Sequence, residues 1–328
     1  MKKIFTLMVA ALAALAVTSC NKEEMAGASN EATMTLSVNL AEGVQTKAYG
    51  DGMYADKNLI IGVFDENGTE KFRQNLVWEK DKFADEISIR FIMGKKYQIV
   101  LWAQYGNAYG DPKTMPLDKI TLDYAASNGE SLDAFYAYIP VFEVKQDFNK
   151  SVTLTRPFAQ LNFATTVGDI EESIKDDFLG LPGKAVVTVK NLANTLDLFT
   201  GKTTYVNEKN EEFVDGVSVV IPETDFPMVD GKLQTIKIED VVYEVIAMNY
   251  LLIADTNSKD GKVTADLTLE VGDLVINVPQ APLQRNWKTN VYGELLTAEG
   301  TFNVTINPTP LGSYNHDWNN GTNQVIPN

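Results

Sequence analysis

From Thr33 onward, apolar and polar residues alternate in short runs broken by Gly, Asp and Asn, and that period of two commits the chain to strands with one buried face. Met34, Leu36, Val38 and Leu40 alternate with Thr35, Ser37 and Asn39, and Gly43 closes the run. Leu59–Phe64 with the turn Asp65–Gly68, Ile87–Ile92 with Gly94, and Tyr97–Ala103 continue the pattern, followed by Phe135–Phe142, a turn at Asp147–Asn149 and Ser151–Leu154. Arg156-Pro157-Phe158 marks a boundary, because proline ends a ladder, and AQLNFATTV begins a fresh strand. Further strands are read at Ala185–Val189, Val217–Ile221, Val241–Ala254, Val263–Leu269, Leu274–Val278 and Phe302–Ile306. One helix is expected in the second half: Asp169 and Glu172 form a capping box, Ile170, Ile174 and Phe178 share a face, and Gly180 and Pro182 stop it. Short helical turns are expected within Leu117–Ala126. The fold class read from this is all-β, two sandwich domains in series with one short helix in the second. The divisions are 33–157 and 158–328, the latter ending in a polar tail. A single large barrel and an outer-membrane barrel fit less well, given the long polar connections and the inserted helix.

The N-terminus carries processing information. Lys2 and Lys3 precede an apolar stretch, Ile4–Val17, too short to cross a bilayer as a permanent helix, and small residues lead to Cys20, the chain's single cysteine. This looks like a bacterial lipoprotein signal over 1–19, with Cys20 acylated as the mature N-terminus and 20–32 as a tether. An acylated Cys20 leaves no thiol for a disulfide or a metal. The chain has 28 basic and 44 acidic side chains, and loss of Lys2 and Lys3 takes the net charge from −16 to −18. That balance disfavours nucleic acid and anionic bilayer surfaces as partners.

Candidate chemistry is sparse. His316, the single histidine, lies in the polar tail Gly312–Asn320, so a Ser-His-Asp triad would have to rely on it, and a histidine-rich zinc site has no ligands. Carboxylate-only hydrolysis stays open on residue counts alone. Asp255–Gly261 starts like a calcium loop but has lysine at its fifth position and its glycine one residue late. Gly180–Lys184 lacks the first glycine of a phosphate loop and is followed by alanine. Trp78, Trp102, Trp287 and Trp318 could build a sugar-stacking platform, although Trp102 sits in a strand and reads as core; Tyr105, Tyr109 and Trp318 lie in Gly- or Asn-rich segments freer to meet a partner. Arg156 and Arg285 read as structural clamps on carbonyls or carboxylates. The reading is of a protein that is no enzyme and holds no cofactor and no metal.

The lipobox at Cys20, the link VQTKAYG (Val44–Gly50), KYQIVLWAQ (Lys96–Gln104), VTLTRPFAQLNFATT (Val152–Thr166) and PLQRNWKTNVYGELLTAEGTFNVTINP (Pro282–Pro308) together resemble the fimbrillin-like lipoprotein superfamily of Bacteroidales, which includes fimbrial stalk and tip subunits. The resemblance implies two transthyretin-like domains, export to the outer membrane with palmitate on Cys20, and assembly by strand donation at the cell surface. In that scheme a protease cuts at Lys47, where many relatives have arginine. The strand bearing Met34, Leu36, Val38 and Leu40 leaves, and a neighbour's strand fills the groove. The donor is expected around Phe302, Val304 and Ile306, although the tail from Gly312 on looks too rich in glycine and asparagine for a strong inserted strand. Other fimbrial subunits, the membrane through the lipid, and a host or bacterial surface protein or glycan are the implied partners. A polymerising subunit, a lipid-anchored tip or accessory adhesin that keeps its first strand, and a hydrolase are the three competing classes.

Overall fold

The computed structural model describes residues 30–40, 57–77, 86–126, 132–170, 184–229, 232–254, 262–296, 301–308, 314–317 and 326–327. The first half supplies β1 (Glu31–Leu40), β2 (Lys57–Asp65), β3 (Glu70–Val77), β4 (Ile87–Ile92), β5 (Lys96–Tyr105), β6 (Lys119–Thr121), β7 (Phe135–Glu143) and β8 (Phe148–Leu154). The second half continues with β9 (Ala159–Thr166), β10 (Lys184–Ala193), β11 (Thr195–Asp197), β12 (Thr203–Val206), β13 (Glu212–Phe213), β14 (Val217–Asp225), β15 (Met228–Val229) and β16 (Lys232–Leu233). After these come β17 (Thr235–Ile238), β18 (Val241–Ile253), β19 (Lys262–Val271), β20 (Leu274–Gln284), β21 (Trp287–Gly293), β22 (Phe302–Pro308), β23 (Tyr314–Asp317) and β24 (Ile326–Pro327). The protein is all-β, with a 3-10 turn at Tyr124–Ala126, inside the stretch where helical turns are expected. Asp169 and Ile170 start a helical turn; the rest of the helix expected there lies outside the described residues.

The first sandwich faces the sheet β4-β1-β8 against β3-β2-β5-β7. Between them, Ala32, Met34 and Leu36 of β1 pack with Ile87, Ile89 and Phe91 of β4 and with Leu59, Ile61, Val63, Ile99, Leu101 and Ala103 of the facing sheet. In the second half, β14, β10, β19 and β20 form one layer, and β17, β18, β9, β21, β22, β23 and β24 the other. The layers are stitched where β10 shifts register: Val187–Val189 pair with β14 and β19, while Leu192 and Ala193 pair with Ile253 and Leu252 of β18. Asn191, at φ 64°, takes the left-handed turn this shift requires.

The two halves are not beads on a string. The alternate residues of β2 and β5, namely Ile60, Phe64, Val100 and Trp102, point away from the first core and join the core of the second half with Phe158, Leu161 and Phe163. The inner strands β2 and β5 are therefore buried on both faces, and the near-continuous apolar runs LIIGVF and IVLWA are what such a strand requires. Gly62 completes this second face: a Cβ there would come within 2.7 Å of Leu117, so only glycine lets that side chain approach. Further links cross the boundary. β6 pairs with β11, matching Ile120 with Leu196, and the Tyr124 hydroxyl donates to Ala193 O (2.6 Å) while accepting from Leu252 N–H (3.1 Å).

Two sequence expectations shift. β8 begins at Phe148, inside the turn expected at Asp147–Asn149, because Phe148–Leu154 find a ladder partner in β1. The polar tail, expected to be plain, contributes β23 along β22 and β24 along β23, since backbone pairing at an open edge makes small demands on side chains.

Candidate functional site

β1 is the middle strand of its sheet. It runs antiparallel to β4 from Glu31↔Ile92 to Leu36↔Ile87, and parallel to β8 from Met34↔Phe148 to Leu40↔Leu154. Among the described residues β4 and β8 are joined only through it. Ala32, Met34 and Leu36 are buried, at 2%, 0% and 0% exposure, and Val38 packs against the same cluster. The ends are fixed by polar contacts. Met93 N–H donates to Asn30 O (2.7 Å), Thr33 N–H to Asp147 Oδ1 (2.8 Å), and Asn39 Nδ2 to Ser151 Oγ (3.1 Å).

The three buried side chains contribute on the order of 5 kcal/mol of apolar burial, and the ladder on each side adds hydrogen bonds whose unpaired forms would be costly. Beside β1 a cleft of about 470 Å³ opens between the edges of the two sheets, with Met34 at its floor, Phe142 and Phe148 on its walls, and Lys145 and Lys150 at its rim. Its edge strands are guarded: β7 carries Pro140 and β8 carries Lys150, both of which discourage another chain from pairing there.

The expected donor residues are placed in a different setting. Phe302, Val304 and Ile306 lie in β22, which pairs with β21 on one side and β23 on the other; Val304 and Ile306 are buried, and Val304 belongs to the large core cluster. His316 lies in β23 opposite Val304. Cys20, Lys47, Trp78, Trp318, the loop at 255–261 and Gly180–Gly183 lie outside the described residues.

Trp102, Tyr109, Arg156 and Arg285 are held in packing or hydrogen bonds within the protein. Trp102 is fully buried and donates from Nε1 to Gln104 Oε1 (3.0 Å). Tyr109 stacks on Phe158, with ring centres 5.7 Å apart and planes 10° off parallel, and donates to Leu132 O (2.5 Å); burial pushes its hydroxyl pKa well up. Trp102, Tyr109, Phe158 and Tyr250 thus form a ring cluster inside the protein rather than a platform outside it. Arg285 donates to Gly201 O (2.8 Å) and Thr203 Oγ1 (3.1 Å).

Arg156 grips Asp133 through two hydrogen bonds, Nε to Oδ1 (2.5 Å) and Nη2 to Oδ2 (2.9 Å), and Lys57 Nζ lies 3.3 Å from Oδ2. All three residues are buried. Burial pushes the Asp133 carboxyl up, and the Arg156 and Lys57 charges more than offset it, holding the group at about 2. Sequence reading singles out Arg156 but neither of its partners, which stand 23 and 99 residues away along the chain. Among the described residues no group of three His, Cys, Asp or Glu side chains is placed to hold a metal ion.

Solved structures similar to this chain include a Bacteroides thetaiotaomicron protein of the DUF1812 group, provisionally described as polysaccharide-binding (12% identity, 89% of this chain and 100% of that one, TM-score 0.47). Two others come from Porphyromonas gingivalis. They are the fimbrial anchor protein Mfa2 (12% identity, 84% and 97% coverage, TM-score 0.43) and the tip fimbrial protein Mfa3 with C-terminal truncation (11% identity, 84% and 99% coverage, TM-score 0.44). At this level of likeness they carry no argument about what this chain does. No curated protein matches it. The family profile matches residues 25–327, nearly the whole length, and the chain belongs to the family of unknown function DUF6562.

Proposed function

We propose that this chain is a structural subunit of a cell-surface fimbria. It is exported as a lipoprotein through Cys20, cut after Lys47, and assembled when β1 leaves and a strand of a neighbouring subunit takes its place. The observation that supports this most is the position of β1: an interior strand with a partner on each side, linked to β2 by residues 41–56, which include Lys47. Cutting that link would leave β1 held by non-covalent contacts alone. Its departure would strip both β4 and β8 of the only ladder partner they have among the described residues and uncover the apolar floor made by Leu59, Ile61, Ile99 and Leu101. The loss of apolar burial, about 5 kcal/mol, is comparable with the whole stability of many domains, so the emptied groove favours refilling by another alternating strand. The blunted edges at Pro140 and Lys150 fit replacement of an interior strand rather than addition at an edge.

A second reading is favoured by β22. Because that strand is committed to its own sheet, a chain that keeps β1 and donates nothing would serve as a lipid-anchored tip or accessory adhesin, with a surface protein or glycan as its partner.

N-terminal sequencing of protein recovered from the cell surface, with an unboiled size ladder, separates the two. A start at Ala48 with SDS-resistant oligomers supports the polymerising subunit. A start at acylated Cys20 with monomer alone would overturn it in favour of the anchored form.

A further inference from the structure

Lys57 is the first residue of β2, the point where the connection carrying Lys47 enters the folded body. Asp133 stands two residues before β7, and Arg156 lies in the segment between β8 and β9 that leads into the second half. Their contact therefore ties three separate places: the start of β2, the approach to β7 and the passage between the halves. The geometry is two-sided, with Arg156 occupying both carboxylate oxygens and Lys57 adding a second cation at Oδ2. The Phe135 ring lies under both cations, 4.6 Å from Lys57 Nζ and 5.0 Å from the Arg156 guanidinium carbon, and excludes water from that side. The Arg156 backbone N–H also donates to Asn286 Oδ1 of the second half (3.3 Å).

A buried charge cluster of this kind adds little net stability over apolar packing, but it fixes position, because breaking one partner strands the others without compensation. The position it fixes is that of the sheet behind β1. That sheet is backed by a second core through Ile60, Phe64, Val100 and Trp102, none of which touches the cluster formed by β1. The apolar contacts on that face are thus independent of β1. A sandwich without such backing would close or unfold on losing its middle strand.

We propose that Lys57, Asp133 and Arg156 are a latch that holds the start of β2, and with it the β3-β2-β5-β7 sheet, in register when β1 loosens, so that the vacated groove stays open for an incoming strand. The purpose assigned to the latch rests on the release of β1 put forward above; its mechanical effect can be read without any cleavage.

The test is peptide-resolved amide exchange on the full chain carrying Leu36→Asp, which puts a charge on the buried face of β1. Exchange in β1, β4 and β8 should rise by about 100-fold or more, while β2 and β5 stay within about 3-fold of the native chain. Adding Lys57→Met, which leaves the Arg156–Asp133 pair intact, should carry the acceleration into β2, by about 10-fold or more. Acceleration of β2 and β5 together with β4 in Leu36→Asp alone overturns the proposal, as does a Lys57→Met addition that leaves β2 unchanged. Should the double variant not fold, Lys57→Met alone decides: faster exchange at Lys57–Ile60 with β1 still protected supports the latch, and no change overturns it. Protected β2 and β5 in Leu36→Asp, with β1 still attached to all surface protein, would uphold the latch and overturn strand release.

Discussion

β1 and β22 are both alternating strands with a neighbour on each side, yet the sheets around them would respond differently to their loss. Among the described residues β1 is the only link between β4 and β8, so without it a three-stranded sheet becomes two single strands. β22 lies toward one end of a long sheet, and without it β21 keeps its ladder with β9 while β23 and β24 peel away. The cores differ too. β1 serves one cluster bounded by the first sandwich, whereas Val304, with Phe302 packed against it, belongs to the large cluster that runs through both halves. On the proposed function, a strand that is central to its own sheet but peripheral to the protein's main core is the one whose exchange would leave the rest in place. That combination, more than hydrophobicity, distinguishes β1.

The largest expected effect sits between these regions. Asp133→Asn leaves Lys57 and Arg156 buried without a full counter-charge and should lower stability by about 3–5 kcal/mol, read from the denaturant midpoint, with both halves affected. Leu36→Ala and Ile306→Ala should each cost about 3 kcal/mol, but differ in reach. Amide exchange should rise in β4 and β8 for the first and in β21 and β9 for the second. Equal spreading in the two variants would break the comparison.

Acid should act on the same junction with a smaller effect. The folded Asp133 carboxyl sits at about 2 against an ordinary 3.8, so its contribution is present above about pH 4 and is lost as pH falls toward 2. The groups facing it are Arg156, Lys57 and Lys288, all cationic throughout that range, and the Tyr109 hydroxyl, neutral throughout it. The change is on the order of 2 kcal/mol and should flatten in Asp133→Asn. The smallest stability effect is expected at the β7 edge. Pro140→Val should shift stability by about 0.5 kcal/mol or less, yet raise reversible self-association in concentrated solution, because it restores an edge N–H donor.

The strands, and the break between β8 and β9 at Pro157, were legible because alternation and proline act locally. The double burial of β2 and β5 had a signal in the runs LIIGVF and IVLWA, whose apolar residues do not alternate, but a run of that kind does not say what lies on its second face. The latch had none. Lys57, Asp133 and Arg156 are ordinary charged residues far apart along the chain, and only the sheet order brings them to one side of Phe135. β23 was hidden for the opposite reason: its pairing is backbone against backbone, and the side-chain pattern of a Gly- and Asn-rich tail carries no trace of it. Met34, Leu36, Val38 and Leu40 were readable as a strand, whereas its place between one antiparallel and one parallel neighbour depends on partners more than 40 residues away.

The central claim is that β1 must leave its sheet for subunits to join. Thr35 of β1 and Ser88 of β4 stand directly opposite each other on the outward side of the antiparallel ladder, where neither is buried. The double variant Thr35→Cys with Ser88→Cys can lock β1 in place by a disulfide. The direct measurement is an unboiled size ladder of this variant on the cell surface, with and without reductant. The account predicts monomer when oxidised and SDS-resistant oligomers when reduced; an undiminished ladder with the disulfide intact would contradict it.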